Sequence, residues 1–252
     1  MSDDPFFVGW ADTAPLDRRF MLRAALGLTL AGAGMASLLA MQQAPPGAGQ
    51  WTQSDVRDWT GLLMRKPYPS LRTRDLDGTP RTAFLATSGK LGVHARLPPT
   101  LRDGVRIRAS AITRGPNMML AVVDDEGWIA PITQDVSALT PAPPDDLGCA
   151  VLVGEILDAK CWFGAMKPGF GKTHKSCAAL CARGRLPLAF CSPGGALCTT
   201  VDTTLLFVDA NGRAHGPAVL PYLADPVSVT GQIVRVGDIT QYRVALDDIR
   251  RI

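Results

Sequence analysis

The chain matches itself. When VRIRASAITRG (105–115) is laid over VSVTGQIVRVG (227–237), Val105 falls on Val227, Ile107 on Val229, Ala111 on Ile233 and Gly115 on Gly237. The same shift, without a gap, sets Phe84 on Leu206, Ala86 on Val208, Leu120 on Tyr242 and Val122 on Val244. Apolar residues alternate in each window, the pattern of strands with one buried face. SGK (88–90) and NGR (211–213) supply turn residues after the Phe84 and Leu206 strands. A few short strands, repeated twice, remove their open edges most simply by closing on themselves. The expected fold is therefore mainly β, with two small OB-like antiparallel barrels.

The match also locates what is not repeated. WTGLLMRKPYPSLR leads into the Phe84 strand, whereas LVGEILDAKC leads into the Leu206 strand. Setting Gly61 on Gly154 leaves the second copy with an added segment, residues 160–190, that contains Cys161, His174, Cys177 and Cys181. Ligand-type residues inserted into a plain scaffold are where function is expected. The first copy has no cysteine and reads as structural or partner-binding.

Ahead of both copies lies AALGLTLAGAGMASLLAM (24–41), an uncharged run that Phe20, Met21 and Leu22 extend past Arg23. About 20 apolar residues span a bilayer as a helix, and this run reaches that length if Arg23 snorkels. Arg18, Arg19 and Arg23 flank one side, and no charge follows until Asp55. The positive-inside rule then places residues 1–19 in the cytoplasm and the rest in the periplasm, a single-pass inner-membrane protein. The alternative is export followed by cleavage of a twin-arginine signal, since RRFMLR has paired arginines before an apolar run. AMQQAPPGAGQ (40–50) offers no good small-x-small cleavage site. A net charge of +3 with 19% charged residues gives no argument for nucleic acid as partner.

In GKTHKSCAALCARG (171–184), Thr173 suits an N-cap and Gly184 the residue after a helix end. A helix between them places His174, Cys177 and Cys181 on one face. Cys161 ends the strand before it, and the glycine-rich FGAMKPGFGK lets the chain fold back over that face. Together they make a Cys3His set for zinc, or a thiolate site for copper(I). Asp158 reads as the acceptor that orients His174. Without CxxCH, covalent c-type haem is disfavoured, and His174 is left as a ligand for non-covalent haem.

Other readings of the cysteines stay open. An exported protein forms disulfides, so Cys161 with Cys177 or Cys181 is a candidate bridge, as is Cys191 with Cys198 across SPGGAL. Cys149 has no obvious partner. Lys160, Lys167, Lys172, Lys175, Arg183 and Arg185 surround the segment with no acidic residue among them. Such charge favours thiolate, which serves metal binding and redox chemistry alike, and it also fits a solvated basic face. GKT (171–173) lacks the first glycine of a phosphate loop, since Met166 stands there. His94 and His215 lie in loop-like stretches and read as surface histidines.

The stretch GEILDAKCWFGAMKPGFGKTHKSCAALCARGRLPLAF resembles a motif of functionally uncharacterised bacterial envelope proteins. Gly154, Glu155, Asp158 and Cys161 match its G-E-x-x-D-x-x-C part; His174, Cys177 and Cys181 match its H-x-x-C-A-x-x-C part; Gly184 and Pro187 match the turn that follows. The resemblance implies a shared site and carries no known activity. Arg185 after Gly184, and the additional Cys191 and Cys198, depart from the pattern.

The expected organisation is a cytoplasmic tail (1–19), a transmembrane helix (20–41), a linker (42–56), a first barrel (57–140), a linker (141–148) and a second barrel (149–252). The expected function is a non-catalytic periplasmic accessory, holding a metal or cofactor for a membrane oxidoreductase or its maturation. Its partners would be the inner membrane and another membrane or periplasmic protein. A thiol-redox enzyme using Cys177 or Cys181, and a disulfide-stapled assembly factor, are the alternatives.

Overall fold

The windows that match in the sequence form the same strands twice. In a computed structural model, which describes residues 14–42, 49–75, 77–101, 103–192 and 204–252, the first copy contains β1 (Gln50–Met64), β2 (Ser70–Arg74), β3 (Pro80–Thr87), β4 (Gly104–Arg114), β5 (Asn117–Val122) and β6 (Ile129–Pro131). The second contains β7 (Asp145–Asp158), β8 (Leu188–Cys191), β9 (Thr204–Asp209), β10 (Pro226–Val236), β11 (Ile239–Val244) and β12 (Ile249–Arg251). Each sheet runs in the order first, second, third, fifth, fourth, and the fourth strand returns to pair with the first. Two closed five-stranded, OB-like barrels result, with β6 and β12 flanking β4 and β10.

Register preserves the duplication. Ala111 pairs with Leu120 as Ile233 pairs with Tyr242, and Gly61 pairs with Val105 as Gly154 pairs with Val227. Gly115 and Gly237 sit in equivalent turns at φ 53° and 61°, a left-handed conformation that glycine adopts without strain. Gly61 and Gly154 are equivalent for a different reason: a Cβ would meet the Arg72 carbonyl oxygen at 2.2 Å and the Cys191 carbonyl oxygen at 2.1 Å. One pairing in each barrel, β3 with β5 and β9 with β11, is parallel, and this is how the third strand crosses over the fourth to close the sheet.

Leu71, Leu85, Val105, Ile107 and Leu120 fill the first barrel; Ile156, Phe190, Phe207, Val229 and Tyr242 fill the second. The opposite faces of the same strands bury against each other. Phe84, Ala86, Ile112 and Met119 pack with Leu157, Ala189, Leu206 and Val208 in a third cluster, which also takes in Trp162, Phe163 and Cys181 of the insertion. Burial on both faces explains why TAFLA and LLFV read as continuous apolar runs. Both barrels belong to one compact unit, Pro46–Ile252. At its polar edge, Asp238 accepts hydrogen bonds from the Arg72 guanidinium at 2.5 Å and the Thr82 amide at 2.6 Å.

Strands begin earlier than the expected linkers allow. β1 starts at Gln50, inside 42–56, and β7 at Asp145, inside 141–148. Most residues in the first half of each strand are exposed, so no alternation marks them. The separate N-terminal unit is one helix, α1 (Pro15–Gln42). Its described side chains are almost all exposed, and it is long and apolar enough to cross a membrane.

Candidate metal centre

The insertion joins β7 to β8 through residues 159–187, where the first barrel uses only 65–69 between β1 and β2. Cys161 does not end the strand. The chain leaves β7 at Asp158 and winds into a π-helical turn, Cys161–Ala165. The Asp158 carboxylate accepts the Cys161 amide at 2.8 Å and starts that turn. Glycines then bring the chain back: a Cβ on Gly169 would lie 2.5 Å from the Cys161 carbonyl oxygen. The Gly171 amide, at φ 76°, donates to buried Glu155 at 2.8 Å. Burial raises the Glu155 carboxyl above its ordinary value, and the Gly171 bond offsets this in part.

The second helix, α2, spans Lys175–Arg183 and follows a 3-10 turn, Lys172–His174. Thr173 therefore lies inside that turn and is not the cap; His174 occupies the cap position without a side-chain bond to the helix. The left-handed residue at the other end is Arg185, at φ 63°, and not Gly184. The Leu186 amide bonds the Cys181 carbonyl and the Arg185 amide the Ala182 carbonyl, a Schellman closure. Glycine is needed one residue earlier, because a Cβ on Gly184 would lie 1.9 Å from the Lys90 carbonyl oxygen. Close approach to the first barrel takes the glycine, and arginine is left with the strained φ.

Three sulfurs meet beneath this helix. Cys161, Cys177 and Cys181 lie with their Sγ atoms all within 4.8 Å of one another, Cys161 and Cys181 buried and Cys177 half-buried. Cys161 Sγ is 3.7 Å from Cys177 Sγ. Asp158, Cys161 and His174 form a second group within the same limit. The expected four ligands thus fall into two overlapping triads that share Cys161. His174 Nε2 lies 2.7 Å from Asp158 Oδ2, with both side chains buried. The cluster has the donors and spacing to hold a metal ion.

The charge environment departs from the sequence reading at two residues. Lys160 is not part of a solvated basic face. It is buried, and its Nζ donates to the carbonyls of Thr87, Ser88 and Gly89 at 2.7, 2.7 and 2.6 Å, which ties the insertion to the β3–β4 loop. Burial pushes its ammonium below the ordinary lysine value. The Cys161 thiol is raised, first by its hydrogen bond with Cys181, then by burial and by the Asp158 charge, so nearby lysines do not make it a thiolate. Lys90, which the sequence reading missed, donates from Nζ to Cys177 Sγ at 2.7 Å, and this bond raises Lys90. Its signal is absent from the local sequence because it comes from the other barrel.

Arg114 completes the seat of the insertion. Its guanidinium stacks 3.5 Å from the centre of the Trp162 ring and donates to the Trp162 carbonyl at 3.2 Å. No disulfide joins Cys149, Cys161, Cys177 or Cys181, and Cys149 is exposed. The expected Cys191–Cys198 bridge lies outside the described residues, since Cys198 falls in 193–203.

Fold and site together define a class: an apolar N-terminal helix and tandem OB-like barrels, with a thiol, imidazole and carboxylate cluster in a helical insertion of the second barrel. No protein-family model, curated protein or solved structure matches the chain.

Proposed function

We propose that this is a periplasmic accessory protein, tethered to the inner membrane by α1, that holds one thiophilic metal ion, zinc or copper(I), between Cys161, Cys177 and Cys181. The observation that carries this reading is the 3.7 Å separation of the Cys161 and Cys177 sulfurs. A disulfide would need about 2.05 Å. Two thiolates on one tetrahedral zinc, each about 2.3 Å from it, lie about 3.8 Å apart. His174 is the nearest further donor, and its bond to Asp158 is the carboxylate–imidazole pairing that orients metal-bound histidines. Half-buried Cys177 gives an ion its route in. The ion would serve a membrane oxidoreductase or its maturation, with another membrane or periplasmic protein as partner.

Elemental analysis of the full chain, purified without chelator, tests this. About one zinc or copper per chain is expected, lost in Cys181→Ser with circular dichroism unchanged. Metal-free protein whose cysteines all alkylate at once would sink the reading.

The Lys90–Cys177 contact favours a second reading, a thiol-redox enzyme. In it, Cys161 and Cys177 become a disulfide and pass two electrons and two protons to a substrate disulfide, which becomes two thiols. A metal-free protein that cycles between two and no free thiols at this pair supports that reading over the first.

A further inference from the structure

A cavity of about 620 Å³ opens between the barrels beyond the C-terminal end of α2. Its lining comes from the β1–β2 connection, the β3–β4 loop, the end of α2 and the β9–β10 connection. The volume lies in the range of small-molecule sites. Leu186, Leu188, Val219 and Leu220 give it an apolar wall, while Arg65, Arg183 and Arg185 give it positive charge. No aspartate or glutamate lines it among the described residues.

The arginines are placed to receive an anion. Arg65 is held by its own donations to the Pro98 and Leu101 carbonyls at 3.2 and 3.0 Å. Arg183 and Arg185 are exposed, and neither forms an ion pair with a carboxylate among the described residues. Arg185 occupies its position despite the left-handed φ that favours glycine.

Two histidine rings form part of the same wall. His94 Nδ1 and His215 Nε2 are buried and have no hydrogen-bond partner. The His215 ring stacks on Phe207 at 4.7 Å, and its other nitrogen bonds the Val208 backbone, so its orientation is fixed. Burial lowers both histidines, with the Arg185 charge adding to this at His94. Both rings are half-buried, where loop-like sequence suggested surface histidines.

We propose that this cavity binds an amphipathic anion, with a carboxylate or phosphate headgroup at the rim arginines and an apolar body along Leu186, Val219 and Leu220, against the His94 and His215 rings. Guanidinium groups recognise both headgroups by paired, charge-assisted hydrogen bonds. The site is separate from the metal centre: Cys177 and Cys181 serve one, Ala182 and Arg183 the other.

The chain has three histidines, which makes imidazole resonances a direct readout. The full chain in nanodiscs, labelled with ¹⁵N-histidine, is titrated with decanoate and with decyl phosphate, then with decanol and acetate. Either amphiphilic anion should shift His94 and His215 saturably and leave His174 and the metal content unchanged; which one binds more tightly names the headgroup. Arg183→Gln with Arg185→Gly removes two of the three arginine charges, keeps a residue suited to the φ at 185, and should weaken binding roughly tenfold or more. Equal shifts from decanol, equal binding of acetate, or no saturable shift with either anion overturns the proposal.

Discussion

Lys90 and Cys177 lie 87 residues apart in the chain and meet at 2.7 Å, nitrogen to sulfur, where the first barrel touches the insertion of the second. A barrel without a single cysteine thus contributes the cation that faces the sulfur cluster. An ammonium beside three thiolates offsets the negative charge that ligation by cysteine builds up. Lys90→Gln should therefore lower metal affinity by about tenfold, the lower end of what outer partners of metal ligands contribute. Chelator competition measures it, and an unchanged affinity would remove Lys90 from the site.

Asp158 joins two parts of the centre, through the Cys161 amide and the His174 ring. Asp158→Asn keeps the shape and weakens both bonds. The expected cost is about 1–3 kcal/mol of folding stability, as for a poorly satisfied buried polar group. Metal affinity should fall by about 10–100-fold. Denaturant unfolding and metal titration give the two numbers independently.

Glu155 predicts a pH dependence. Burial raises its folded pKa above the ordinary 4.5, so the folded chain holds this proton more tightly than the unfolded one. The stability from that difference is full below about 4.5 and is lost as pH rises through the folded value. Glu155→Gln can still accept the Gly171 amide without bearing a charge. It should flatten the loss, and at pH 7 be at least as stable as the parent. Thermal unfolding from pH 4 to 8 would refute this if the two curves ran parallel.

Gly184 and Arg185 predict opposite effects from neighbouring substitutions. Gly184→Ala drives a Cβ into the Lys90 carbonyl and breaks the approach at which the Gly92 amide bonds the Gly184 carbonyl at 2.7 Å. A loss of roughly 3 kcal/mol or more is expected, because backbone on both sides must move. Arg185→Gly relieves the left-handed strain and should gain about 1 kcal/mol. Urea midpoints for the two variants would show whether close approach or conformation governs this corner.

Cys161 makes metal uptake depend on pH. Its thiol is held protonated by the Cys181 hydrogen bond and by burial, so ligation must release that proton. Apparent affinity should therefore rise with pH, with protons released on binding. Calorimetry in buffers of different ionisation enthalpy reads the proton count, and a count of zero would exclude Cys161 as a thiolate ligand.

Local pattern made the barrels legible. Alternation with a period of two states which face of a strand is buried, and one constant shift between matching windows states that the arrangement occurs twice. Gly115 and Gly237, or Val105 and Val227, could be paired from the sequence because their roles depend on residues a few positions away. The same holds for the spacing of His174, Cys177 and Cys181, which helical geometry sets. Where both faces of a strand were exposed, as at the start of β1 and β7, that pattern vanished and the strands read as linkers.

What tertiary structure alone decided lies where the two copies touch. Lys160 looked like one more surface lysine, yet three carbonyls of the other barrel receive it. Arg185 looked like a departure from a glycine turn, yet Lys90 explains why the glycine stands at 184. His174 meets Asp158 as its spacing suggested, but Asp158 joins the four expected ligands in two triads sharing Cys161. Spacing along a chain fixes neighbours on one helix or strand; it carries no information about which loop arrives from elsewhere. Charge, burial and access at this site are set by those arrivals, through interactions that act over a few ångströms in space and dozens of residues in sequence.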